Sequence, residues 1–330
     1  HAVLSYIGDP CDYDYIMGVT GAAFRRLWNR DDGGNIDLSY LGDRPFAQIF
    51  WALGYEWRKI PAEKDAMVAA LRESLARGVP AIVFGIIGPP EAGVATGYDA
   101  VTGALYGWSY FQPSPDQYYE VENWFETMDK NAGKGLIVLG QKQATRPAPR
   151  EVLIAALEWA VDLERTAQRP GLPDHVGGLA AYEAWAAALE VDADYPRAEP
   201  APAPQGMEGE SQAAFWHSPE QAWQVMDTRA MVHGDQCTML EERRSAGMFC
   251  QQMAAVAPEA AAPLNEAASL YLAAAAQMHM AWPWGLTHAE AAQGLLERST
   301  REGIAAAVRV AAAKEARAVE RLERALALLR

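Results

Sequence analysis

The chain has 330 residues, enough for two domains of ordinary size, with half of them hydrophobic and 22% charged. Lysine and arginine number 28 against 43 acidic residues, a formal net charge of −15, and no basic stretch is present that could neutralise phosphates, which excludes ordinary nucleic-acid binding. No apolar run approaches the roughly 20 residues of a membrane span, so a soluble, cytoplasmic protein of bacterial type is expected, with small molecules as partners, no cofactor, and homo-oligomerisation left open.

The chain opens on "HAVLSYIG", which lacks both an initiator methionine and the basic-then-apolar pattern of a signal peptide, so native residues are expected upstream. Cys11, Cys237 and Cys250 are odd in number and follow no CxxC spacing, which suits a reducing compartment and suggests neither a disulfide framework nor a zinc ribbon. Up to about residue 145, turn signals such as "RDDGGN", "LGDRP", "IGPP" and "NAGKG" separate the β-prone runs "VPAIVFGI", "GVATGY", "ALYGWSYF" and "GLIVLG". Two helices are expected among them. The first lies around "PFAQIFWALGY". The second covers residues 61–77, with Pro61 at the first helical position, Met67, Leu71 and Leu75 on one face, and Gly78 past the end.

After "ATRPAPR" the pattern turns helical: "REVLIAALEWAVDLERTAQR" and "GGLAAYEAWAAALEV" are amphipathic, residues 266–330 are Ala-rich at helical spacing, and no strand signal is present. Residues 194–212, rich in Pro, Ala, Glu and Gly, read as an exposed loop or linker. The expected fold is therefore α+β, a mixed domain over residues 1–145 followed by an all-α domain over 146–330.

The run "RGVPAIVFGIIGPPEAGVATGYDAVTGALYGWSYF" resembles the central hairpin of papain-like cysteine peptidases of the bacteriocin-processing type, in which a histidine opens the strand that ends in "GYD". Aligning that motif with Gly97, Tyr98 and Asp99 places Glu91 in the column of the catalytic base. The amino-terminal "HAVLSYIGDPCDYDYIMGVTGAAFRRLW" is similar to a related branch, the butirosin-biosynthesis acyltransferase family. One alignment makes "AVLSYIG" the tail of the nucleophile helix, with the cysteine upstream of His1 and "IMGVTGAAF" as the Gly-rich segment behind it. A second makes Cys11 the nucleophile. The first is preferred, because Gly18 and Gly21 would weaken a helix interior.

The resemblance implies a papain-like domain and an enzyme of acyl-transfer or amide-processing type, in which Glu91 replaces histidine as general acid or base. The alternative it implies is a catalytically inactive relative that binds a small cationic or amphipathic ligand. A carboxylate does the work of an imidazole near neutral pH only if burial raises its pKa. Gly18, Thr20, Gly21, Phe24 and Trp28 would form one wall of the cleft, and Tyr98, Trp108 and Ser109 the other, with the third triad position falling near Trp108 or Ser109. The aromatic rings would supply cation–π contacts to an amine.

Other candidates carry weaker patterns. Cys11 lies between Asp9 and Asp12, whose charges oppose thiolate formation. His233 and Cys237 are four apart and could share a helical face with Glu241 as metal ligands, although two or three ligands with Gly234 between them form a weak pattern. Met278, His279 and Met280 read as gap-filling core in an apolar helix, and "GVTGAAF" lacks the lysine and spacing of a phosphate loop.

Overall fold

A computed structural model describes residues 1–32, 38–87, 91–112, 117–128, 135–197, 222–284 and 288–330. The chain divides into two compact units, His1–Ile16 with Ala47–Pro147, and Met17–Phe46 with Ala148–Arg330. Residues Met17–Phe46, read from the sequence as part of the first domain, thus belong with the helical second one. Mixed α and β structure with an antiparallel sheet, followed by a helical region, is as expected. Most of the loop read at 194–212 lies outside the described residues.

The first unit is built on a six-stranded sheet ordered Tyr55–Ile60, Leu136–Lys142, Ala81–Phe84, Ala92–Tyr98, Leu105–Trp108 and Tyr119–Val121, antiparallel at every junction. Four of these strands match the expected apolar runs. The outermost, "YEWRKI", alternates too weakly to announce itself, since Glu56, Arg58 and Lys59 are exposed along it, a composition that guards a sheet edge against further pairing. Helix Lys64–Ala76 lays Met67 and Leu71 against Ala81, Val83, Ala95, Leu105, Leu136 and Val138. It starts later than expected: Glu63 is its N-cap and Pro61 lies ahead of it. Its end falls where the glycine predicts, Gly78 taking φ +73° and donating its N–H to the Leu75 carbonyl.

The second unit is a helical assembly of Pro149–Arg165, Ala180–Leu189, Ala222–Glu241, Arg243–Val256, Ala261–Ala275 and Arg298–Leu329, with shorter turns between. Its interior uses small residues at close crossings, Ala186, Ala230, Ala274 and Ala305 among larger Tyr182, Trp185, Leu240 and Val308. One strand pair occurs here against expectation, Leu27–Trp28 with Val176–Gly177. It is two residues long and is pinned at its end by the Gly178 N–H, which donates to the Arg26 carbonyl. No described helix is long and apolar enough to cross a membrane.

Candidate functional site

Glu91 immediately precedes strand Ala92–Tyr98 and is exposed; its carbonyl accepts from the N–H of Gly85, the residue after strand Ala81–Phe84. Pro89 and Pro90, the prolines of the "IGPP" turn signal just ahead of it, lie outside the described residues. Register pairs Val94 with Trp108, so the start of one strand and the end of the next share one end of the sheet. There Trp108 is half-buried and meets Tyr110 edge-on at 4.5 Å.

The described residues that follow hydrogen-bond to one another. Ser109 is buried, its N–H donates to Gln112 Oε1, its Oγ accepts from the Phe111 N–H, and the Gln112 amide donates to the Gln117 carbonyl. Large rings here face water: Tyr110 is 83% exposed, Tyr118 71% and Phe111 43%. The exposed carboxylate of Glu91 makes this an aromatic, acidic sheet end, whereas Glu120, which accepts from the Tyr106 hydroxyl, lies at the level of Gly97 toward the other end. Tyr98 stands half-buried at the far end of its strand, seven residues from Glu91, and so belongs to the opposite rim.

The residues expected to face Glu91 across a cleft belong to the second unit and are packed in its core. Gly18 lies in helix Tyr13–Val19, where a methyl group would overlap the Phe249 ring, and one at Gly21 would overlap Trp159. Gly21 also has φ +75°, a backbone that disfavours any side chain. Thr20 is buried, and its carbonyl accepts from Trp159 Nε1 at 3.2 Å. Phe24 is wholly buried, edge-on to Tyr271 at 5.5 Å. These glycines admit rings of their own core instead of opening the backbone to a ligand, which corrects the expectation drawn from "GVTGAAF".

Trp28 differs, since it lines a small recess of this unit with Trp185, Tyr195, Arg229 and His233. His233 forms the floor. Its Nε2 lies 2.8 Å from the Ala281 carbonyl, which can only accept, so the proton sits on Nε2 and leaves Nδ1 to accept from Trp185 Nε1 at 3.2 Å. Burial holds this imidazole down at about 4. Cys237 Sγ lies 3.6 Å from the same Nε2 and burial pushes its thiol up, so a pair with the proximity of a catalytic dyad has no base to ionise it. Both ring nitrogens are engaged, and among the described residues no group of three or more His, Cys, Asp or Glu could hold a metal ion. Met280 and His279 are exposed, against the core role expected of them; only Met278 packs inward.

Cys11 is half-buried just ahead of helix Tyr13–Val19, and Asp12 caps that helix by accepting the Tyr15 N–H at 3.0 Å. Burial pushes the thiol up, with Asp12 and Asp9 adding to it. A nucleophile needs the opposite setting.

The densest polar chemistry lies where sequence reading placed none. Arg243, wholly buried, donates to Glu315 through Nε at 2.7 Å and Nη2 at 2.8 Å, and to the carbonyls of Ala23 and Arg25 at 2.9 Å each. Arg26 donates to Tyr182 Oη at 2.9 Å and to Gln236 Oε1 at 3.0 Å, and Gln236 in turn donates to the Leu27 carbonyl. The network reads backbone carbonyls along residues 23–27 and so straps that segment into the helical unit. A signal existed: Glu164 continues the buried stripe Leu153, Leu157, Ala160, and Glu315 the stripe Ile304, Val308, Ala311.

The chain matches no protein-family model, and no curated protein is significantly similar to it.

Proposed function

We propose that the chain is a papain-like protein that recognises a small cationic or amphipathic ligand at the sheet end carrying Glu91, without thiol catalysis. The observation that carries this reading is the exposed carboxylate of Glu91 at the same sheet end as the exposed rings of Tyr110, Phe111 and Tyr118, a surface that attracts a cation by charge and by ring quadrupole together. The antiparallel hairpin Ala81–Phe84 with Ala92–Tyr98 supports the family resemblance, as does the position of Glu91 directly before its second strand. Proton transfer by Glu91, the enzymatic alternative, calls for a desolvated carboxylate, and exposure favours binding instead. The buried Cys237 and half-buried Cys11 thiols, both pushed up, point the same way.

The test is titration of the protein with benzyltrimethylammonium and with its uncharged isostere neopentylbenzene, followed by tryptophan fluorescence and by chemical shifts of the Trp108 indole. The cation should bind and the isostere should not. Glu91→Gln should weaken the cation about five-fold, the effect of one charge at an exposed site, and Tyr110→Ala by a similar factor. Equal binding of both compounds, or a Glu91→Gln variant indistinguishable from wild type, would rule the reading out.

A further inference from the structure

Glu164, on helix Pro149–Arg165, and Glu315, on helix Arg298–Leu329, are both wholly buried inside the second unit. They are treated very differently. Glu315 receives Arg243 Nε and Nη2 and, at 2.5 Å, the Tyr182 hydroxyl. Glu164 Oε1 lies 3.8 Å from that same Arg243 Nη2, beyond hydrogen-bond reach, and neither of its oxygens accepts a hydrogen bond.

The charged and titratable groups described around Glu164 are already engaged or lack a partner of their own, and Arg165, next to it in sequence, is committed to Glu323 at the surface. Arg243 is committed to Glu315 and to the carbonyls of residues 23–25. Arg26 is committed to Tyr182 and Gln236 and lies over the Tyr182 ring at 3.8 Å, with its Nε buried and unpartnered. The Tyr271 hydroxyl is likewise buried without a partner.

Counting charges alone, two guanidiniums would ionise both carboxyls. Hydrogen bonds decide otherwise. A carboxylate out of reach of every donor is among the least favourable groups to bury, whereas a carboxylic acid is a neutral donor. Two carboxyls flanking one guanidinium nitrogen can satisfy each other only through a proton between them.

We propose that Glu164 is a neutral carboxylic acid in the folded protein, its proton held against Glu315, and that this proton-bridged pair is a pH-sensitive latch on the segment Ala23–Leu27. On the alkaline side the proton passes to solvent hydroxide, Glu164 becomes a second buried anion, and it competes with Glu315 and the backbone carbonyls for Arg243. Burial is the largest influence on Glu164 and raises its carboxyl, and the adjacent Glu315 charge raises it further. A group raised on folding stabilises the native state below its unfolded value and loses that contribution as pH climbs through its folded value, so the latch loosens on going alkaline.

The experiment is infrared spectroscopy of the full chain in heavy water at neutral pH, with glutamate labelled by carbon-13 at the carboxyl, alongside melting temperature against pH. A protonated-carboxyl band that shifts with the label should be present in wild type, disappear on raising pH, and be missing from Glu164→Gln. That variant preserves the shape and a donor to Glu315, so its melting curve should lie flatter than that of wild type from neutral to alkaline pH. A wild-type spectrum with no such band, a band that survives Glu164→Gln, or two melting profiles that run parallel would each overturn the proposal. Should Glu164→Gln fail to fold, the label-sensitive wild-type band and its alkaline loss still decide.

Discussion

Replacing Arg243 with methionine removes the hub of the buried network while keeping most of the volume. Glu315 is then left wholly buried with only neutral donors, the Tyr182 hydroxyl and the Glu164 proton, and the carbonyls of Ala23 and Arg25 lose theirs. Breaking a buried ion pair from one side costs roughly 3–5 kcal/mol, and carbonyls stranded without a donor add to it, so about 4–6 kcal/mol is expected. That is most of the stability of an ordinary domain. Urea unfolding followed by circular dichroism, dominated by the helical unit, measures it. The double variant Arg243→Met with Glu315→Leu removes both charges, and because buried pairs can be exchanged for apolar groups at little net loss, it should be more stable than Arg243→Met alone. A loss below about 1 kcal/mol for the single variant would refute the reasoning, since values that small belong to exposed pairs; so would a double variant weaker than the single.

Gly21→Ala should destabilise the helical unit by about 2–4 kcal/mol, from a left-handed backbone and overlap with Trp159 together, whereas Gly8→Ala, with the same sign of φ but open space around it, should show the backbone part alone; chemical denaturation of both compares them. His233 is held neutral by burial at about 4 against an unfolded value near 6.5, so below about pH 6.5 the unfolded state takes up the proton first and stability should fall by about 3 kcal/mol in all before levelling below pH 4. His233→Gln, which retains one donor and one acceptor, should remove that acid slope. With a disulfide-forming thiol reagent, native protein should react only at Cys11, more slowly than free cysteine, and Cys237 and Cys250 should appear on adding denaturant; rapid labelling of Cys11 would restore it as a nucleophile.

The local signals in the sequence served where one element carries its own pattern. Met67, Leu71 and Gly78 mark a helix and its end because burial face and C-cap are encoded within that stretch, and the runs around Ala81–Phe84 and Leu136–Lys142 are apolar because strands inside a sheet are covered by neighbours. Edge strand Tyr55–Ile60 has one paired side and a charged rim, so its alternation is faint. The glycines of "GVTGAAF" were legible as a place of close approach, but not what approaches: Trp159 and Phe249 come from far along the chain. Likewise Glu91 could be placed at a strand start, yet its exposure depends on how the neighbouring turns fold. Glu164 and Glu315 lie on apolar stripes, but nothing local to either helix names their partners, because partners of a buried charge are set by tertiary structure.

The assignment of Met17–Phe46 to the helical unit bears on how the protein is made. The polypeptide enters that unit, leaves it at Ala47 to build the sheet, and returns at Ala148. On the ribosome, residues 23–27 emerge long before Arg243 and Gln236, which will donate to their carbonyls, and longer still before Glu315, which orients Arg243. The sheet can complete during this interval, whereas the early segment must wait with its arginines unburied. A fragment cut at the sheet-to-helix junction would therefore part the helices from a piece of their own interior, and a dissection that follows the three-dimensional units has to join residues 17–46 to 148–330 by a new linker.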